Sequence, residues 1–110
     1  MAEAFSILGQ SAPAAATPAD LYTVPAATEV VSSTIVVCNR SATATAFRIS
    51  VAPAGAATAD AHYLYYDVAI TGNDTFTTTI GITLAATDKV RVYATLATLS
   101  FNIFGTEITA

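Results

Sequence analysis

His62 lies between Asp60 and Asp67 in a chain rich in hydroxyls, and a histidine with a nearby carboxylate and a serine or threonine is the raw material of a hydrolytic triad. The G-x-S-x-G turn that presents such a nucleophile is missing from the sequence. The 18 threonines recur at alternate positions, where the β propensity of a branched side chain on a pleated face accounts for them. His62 is the single histidine, and it is not expected to be catalytic. Zinc needs Cys and His at short spacing, and Cys38 and His62 are too far apart to form such a pair. Gly72-Asn73-Asp74 offers oxygen ligands for calcium, but the same residues make an ordinary hairpin turn. No phosphate loop or dinucleotide fingerprint occurs. The sequence predicts no enzyme, no cofactor and no metal.

The elements that would have to position any site read as strands. Leu21–Val24 is stopped by Pro25, and Glu29–Asn39 is a long β-branched run. Thr43–Val51 places Phe47, Ile49 and Val51 on one face, with Arg48 and Ser50 on the other. In His62–Ile70, alternation puts Leu64, Tyr66, Val68 and Ile70 inward and Tyr63, Tyr65 and Asp67 outward. Thr75–Leu84 turns Phe76, Ile80, Ile82 and Leu84 inward. Lys89–Ala94 sets Val90 and Val92 against Lys89, Arg91 and Tyr93, and Ser100–Ile108 closes the chain. Seven strands at this spacing predict an all-β antiparallel sandwich over residues 20–110, with jelly-roll or Greek-key connections.

Residues 1–19 stand apart in composition. Pro13 and Pro18 deny a helix to an alanine-rich stretch and set it extended. An N-terminal arm and a tail without fixed structure both suit that composition. Phe5, Ile7 and Leu8 near the tip favour an arm that docks on a neighbour. The segment has no basic lead or long apolar run, so it does not read as a signal peptide.

Charge is scarce. Only 11% of the 110 residues are charged, the net charge is −4, and the four cations are Arg40, Arg48, Lys89 and Arg91. Such a balance is a poor start for phosphate neutralisation, so no nucleic-acid partner is expected. No apolar run approaches the ~20 residues of a membrane span, so no membrane partner is expected. Cys38, in the run Ile35–Cys38, is expected to be a buried, inert thiol. A soluble domain ordinarily relies on a charged coat, and 24 alanines and 18 threonines replace it here. A surface of that kind is expected to be covered by other subunits. Tyr63, Tyr65 and Tyr93, placed outward among few charges, suit a protein interface, where tyrosine is enriched.

The segments Leu21–Ala26, Ser33–Arg40, Phe47–Gly55, His62–Asp67, Gly81–Ala85 and Ser100–Gly105 resemble small virion structural proteins of tailed bacteriophages. The resemblance spans about residues 7–109 and rests on strand-and-turn patterns, so it transfers no catalytic set. It implies a capsid cement or decoration protein on the outer surface of the virion, binding the major capsid protein and itself as a homotrimer. A tail, baseplate or fibre component of the virion is the alternative the resemblance allows, and a glycan-binding host-attachment module is a further one. For the contacts, the expectation falls on Phe5, Ile7, Leu8, Tyr63, Tyr65 and Tyr93.

Overall fold

The last strand of the chain is the middle of a sheet. In the computed structural model, which describes residues 2–109, β9 (Leu99–Thr109) pairs along its length with β1 (Ala2–Ser11) on one side and β3 (Thr28–Asn39) on the other. Two short strands, β6 (Thr75–Thr78) and β7 (Ile82–Leu84), follow one another along the far side of β3. The second sheet runs β2 (Ala19–Thr23), β8 (Lys89–Ala94), β4 (Thr45–Ala52), β5 (Tyr63–Ile70). All pairings are antiparallel. With β6 and β7 taken as one interrupted strand, the sheets read 1-8-3-6 and 2-7-4-5. That is the jelly-roll order, within the all-β sandwich the sequence predicts.

Alternation explains the core. Phe101 and Ile103 of β9, Ile35 and Val37 of β3, Phe47 and Ile49 of β4, and Val90 and Val92 of β8 all face the space between the sheets, and all are essentially inaccessible. Phe47 binds the layers together, with its ring 5.2 Å from Phe76 and 6.1 Å, edge-on, from Phe101. Tyr22 on β2 reaches across to β9, where its hydroxyl donates to the Glu107 carboxylate. Burial, and then that carboxylate, push the Tyr22 phenol well above its ordinary pKa.

Three local departures from alternation matter. The first is in β5, where Phe47 faces Val68 but Ile49 faces Tyr65 and Ser50 faces Tyr63. Tyr66 and Asp67 therefore oppose Arg48 alone, and Asp67 adopts a left-handed φ of 51°. Each extra residue reverses the side-chain faces. The expected assignment is corrected accordingly: Tyr65 points inward, while Leu64 and Tyr66 are 41% and 56% exposed. The second departure breaks the expected strand Thr75–Leu84 at residues 79–81, where the Ile82 amide bonds back to the Ile80 carbonyl.

The third lies in the first sheet. Both neighbours of β9 carry a bulge, β1 between Ile7 and Gly9 opposite Phe104 and Ile103, and β3 between Ser32 and Thr34 opposite Phe104 and Gly105. A Cβ on Gly105 would sit 2.8 Å from Ser32 Cα and closer still to the Val31 carbonyl oxygen. Glycine is required there by space.

The segment expected as an arm is extended, and residues 2–11 lie on β9 as the edge strand of the first sheet. Leu8 packs against the core, Pro13 is buried, and the Ala16 amide bonds the Ala94 carbonyl, so this segment and the sandwich share one body.

Gly105→Ala is expected to cost about 1–3 kcal/mol through overpacking. Gly81→Ala, where an added Cβ meets nothing within 4 Å, is expected to be near neutral. Chemical denaturation of the two variants compares them. Tyr22→Phe is expected to cost about 1–3 kcal/mol at neutral pH by leaving Glu107 without its donor. The raised Tyr22 pKa also fixes a pH slope. Above pH 10 the unfolded phenol ionises while the folded one stays protonated, so stability falls by up to about 1.4 kcal/mol per pH unit. Denaturation midpoints from pH 9 to 11 should show that part of the slope lost in Tyr22→Phe.

Candidate interaction surfaces

The two outer faces of the sandwich differ in kind. On β4, Arg48 points away from the core, and the β5 bulge brings Asp67 and Tyr66 beside it. The Arg48 guanidinium donates to both Asp67 carboxylate oxygens, at 2.7 and 3.3 Å. It lies over the Tyr66 ring at 4.2 Å and the Tyr93 ring at 4.5 Å. Tyr63 packs edge-on against Tyr66 at 4.9 Å. Hydrogen bonding to Asp67 holds the guanidinium charged, pushing its pKa further above the usual value.

Along the same face, Asp20 accepts from Lys89 at 3.0 Å and Arg91 at 3.1 Å. The Lys89 hydrogen bond leads in holding its carboxyl below the ordinary range. Arg91 also donates to the Gly55 and Ala56 carbonyls, tying the long β4–β5 connection onto the sheet. Between these groups lies a cavity of about 110 Å³, lined by Pro18, Arg48, Ser50, Thr58, Tyr63 and Tyr93 among others. Ligand clefts commonly reach ~300–1,000 Å³.

The other outer face, on the first sheet, is nearly without charge. Register places Phe5, Thr106, Val31 and Thr83 in one row across β1, β9, β3 and β7. Ile7, Phe104 and Thr34 make the next row, and Gln10, Asn102, Val36 and Thr77 a third. Phe5 is 80% exposed and Ile7 57%, and Val31 is exposed beside them. Among the described residues of these strands, the only outward acids are Glu3 and Glu29, one on each side of Ile108 at the same end of the sheet. Of the four cations, Arg48, Lys89 and Arg91 belong to the second sheet, and Arg40 follows β3, bonding the Ala97 carbonyl.

The expected contact residues therefore divide. Phe5 and Ile7 are exposed on the uncharged face, whereas Leu8 turns inward. Tyr63 and Tyr93 stand on the charged face. Tyr65 is corrected from that face to the interior, where its hydroxyl bonds Thr78 at 2.6 Å and its ring meets Phe76 edge-on at 5.5 Å. Tyr66 takes its place in the arginine cluster, a change that alternation alone cannot reveal because it depends on the bulge. Cys38 is also corrected: it lies opposite Ser100 and Thr75 on the outer face and is half-buried.

His62 Nδ1 accepts the Ala59 amide within a short 3-10 turn, Asp60–His62. The Asp74 carboxylate is engaged within its own turn by Thr71 and the Thr75 amide. Among the described residues, no group of three or more His, Cys, Asp or Glu could hold a metal ion. No helix among them is long and apolar enough to cross a membrane. No protein-family model matches the chain, and no curated protein matches its sequence at a significant level.

Arg91→Ala is expected to cost about 1–3 kcal/mol, since it removes charged hydrogen bonds to the β4–β5 connection. Limited proteolysis should then cut first within residues 53–62. Arg48→Ala is expected to leave the fold intact and weaken the near-ultraviolet tyrosine circular dichroism by freeing the rings of Tyr66 and Tyr93.

Proposed function

We propose that the chain is a structural subunit of a tailed-phage virion: a cement or decoration protein on the outer capsid surface, bound to the major capsid protein and to copies of itself as a homotrimer. The observation that carries the proposal is the uncharged outer face of the first sheet. Its exposed Phe5, Ile7 and Val31 lie among threonines, with two acids at one end. Exposed apolar surface of that character marks an interaction site. The sequence resemblance supplies the setting, and the jelly roll, a fold shared by viral capsid domains and lectins, agrees with it.

The function so proposed is mechanical. Two sheets locked by an interdigitated aromatic core resist bending, and a rigid block bridging neighbouring capsomers opposes their separation. Each contact contributes about 25 cal/mol per Å² of apolar area removed from water, less the cost of immobilising the partners. Repetition over a shell makes a small net gain large.

Lectins share the fold, which favours glycan binding as a second reading. The tyrosine face weighs against it. Arg48 already covers one face of Tyr66 and one of Tyr93, and the adjoining cavity is small.

Immunogold electron microscopy of phage particles with an antibody to the chain, together with copy number from quantitative mass spectrometry, tests the proposal. Label over the heads at hundreds of copies per particle is expected. Label on tails or fibres at tens of copies would contradict it in favour of a tail component. Binding of host polysaccharide by the isolated protein, lost in Tyr63→Ala or Tyr93→Ala, would favour the attachment module.

A further inference from the structure

A sheet edge presents unpaired amides and carbonyls that any other strand can satisfy, so edges are ordinarily blunted. Three of the four edges in this sandwich are. The β5 edge is bulged at two places and carries the ion-paired Asp67. β2 has five residues, lies between Pro18 and Pro25, and is bulged between Asp20 and Tyr22. The β6–β7 edge is broken into strands of four and three residues.

β1 is different. It has ten residues with no proline or lysine, and its one bulge lies beyond Ile7. Residues 2–7 thus form a regular, exposed edge whose single charge is Glu3. Its outward side chains, Phe5 and Ile7, continue onto Thr106, Phe104 and Val31. The one unguarded edge and the one uncharged face adjoin.

We infer that this combined surface, the outer face of the first sheet together with the β1 edge, is where copies of the chain hold one another. The inference deepens the self-association in the proposed function and rests on it. A second copy is the occupant for a reason of symmetry. Every copy carries the same open edge beside the same apolar face, so copies can cover one another's edge and face in one closed contact, which leaves neither open to other strands.

The size is adequate. Strands of ten to twelve residues, at about 3.3 Å per residue and about 4.8 Å spacing, give a four-strand face on the order of 600 Å². Stable interfaces bury about 800 Å² per partner, and the edge itself adds to the face. Electrostatics permits it as well. Glu3 and Glu29 lie together at one end and can remain at a wet rim, while Phe5, Val31 and Phe104 are covered by a neighbouring copy without burying a charge.

Light scattering of the full chain over a wide concentration range tests this, with Phe5→Glu and Val31→Glu on the face and Tyr93→Ala as a control on the opposite sheet. Phe5 and Val31 are exposed, so neither substitution reaches the core, and far-ultraviolet circular dichroism checks that the sheets persist. Ile7→Glu replaces either variant if its sheets are lost. The wild type and Tyr93→Ala are expected to share a mass that is a multiple of 11.3 kDa. Each glutamate variant should dissociate to monomer at about tenfold higher concentration or more, as for a residue at an interface centre. A wild type that is monomeric throughout, or folded glutamate variants with wild-type mass, would overturn the inference. The readout contains no capsid, so that failure would leave the virion assignment to its own test. Self-association through this face would likewise survive an absence of label on phage heads.

Discussion

Everything in the first sheet depends on β9 finding partners on both sides. The chain's last strand joins its first strand to its third, so the sheet cannot be completed until residues 99–109 are in place. Pairings so distant in sequence make folding a non-local event. They also explain why Gly105 has no room for a side chain. It lies beside the β3 bulge, where the Val31 carbonyl and Ser32 Cα crowd it, and Leu8, from the neighbouring β1 bulge, closes over it from within. The same geometry seats β1 at the rim and turns Phe5 and Ile7 out to solvent.

The chain uses its few charges unevenly. Arg48, Lys89 and Arg91 are spent on one outer face, each paired with Asp67 or Asp20. There they fasten the β5 bulge and the long β4–β5 connection to the sheet. The opposite face is left to threonine, valine, isoleucine and phenylalanine. Threonine keeps such a face compatible with water while holding the branched shape that a strand prefers. One side of the sandwich is thus braced by its own ion pairs, and the other presents an uncharged face.

Much of this was legible in the sequence. The alternation of Phe47 with Arg48 and of Val90 with Arg91 places both strands' faces correctly, and the turn at Gly72-Asn73-Asp74 is where composition puts it. What period-two reasoning missed were insertions. Two extra residues in β5 exchange Tyr65 for Tyr66 at the surface. Nothing in Tyr63–Tyr66 signals this, because three of the four residues are tyrosines and both alternating sets contain one. The place of β1 in the sheet is hidden from the sequence, since its pairing partner lies at the far end of the chain. Cys38 follows an apolar run that continues inward and outward alike, so its exposed side depends on the bulge at Ser33.

The central claim is that the uncharged face of the first sheet is covered in the assembled particle. Cryo-electron microscopy of a particle carrying the protein reads this directly. Density for neighbouring subunits is expected against Phe5, Val31 and Phe104, with the Arg48–Tyr66–Tyr93 face turned away from those contacts. A map in which the first sheet faces open solvent and the arginine face makes the contacts would contradict the claim.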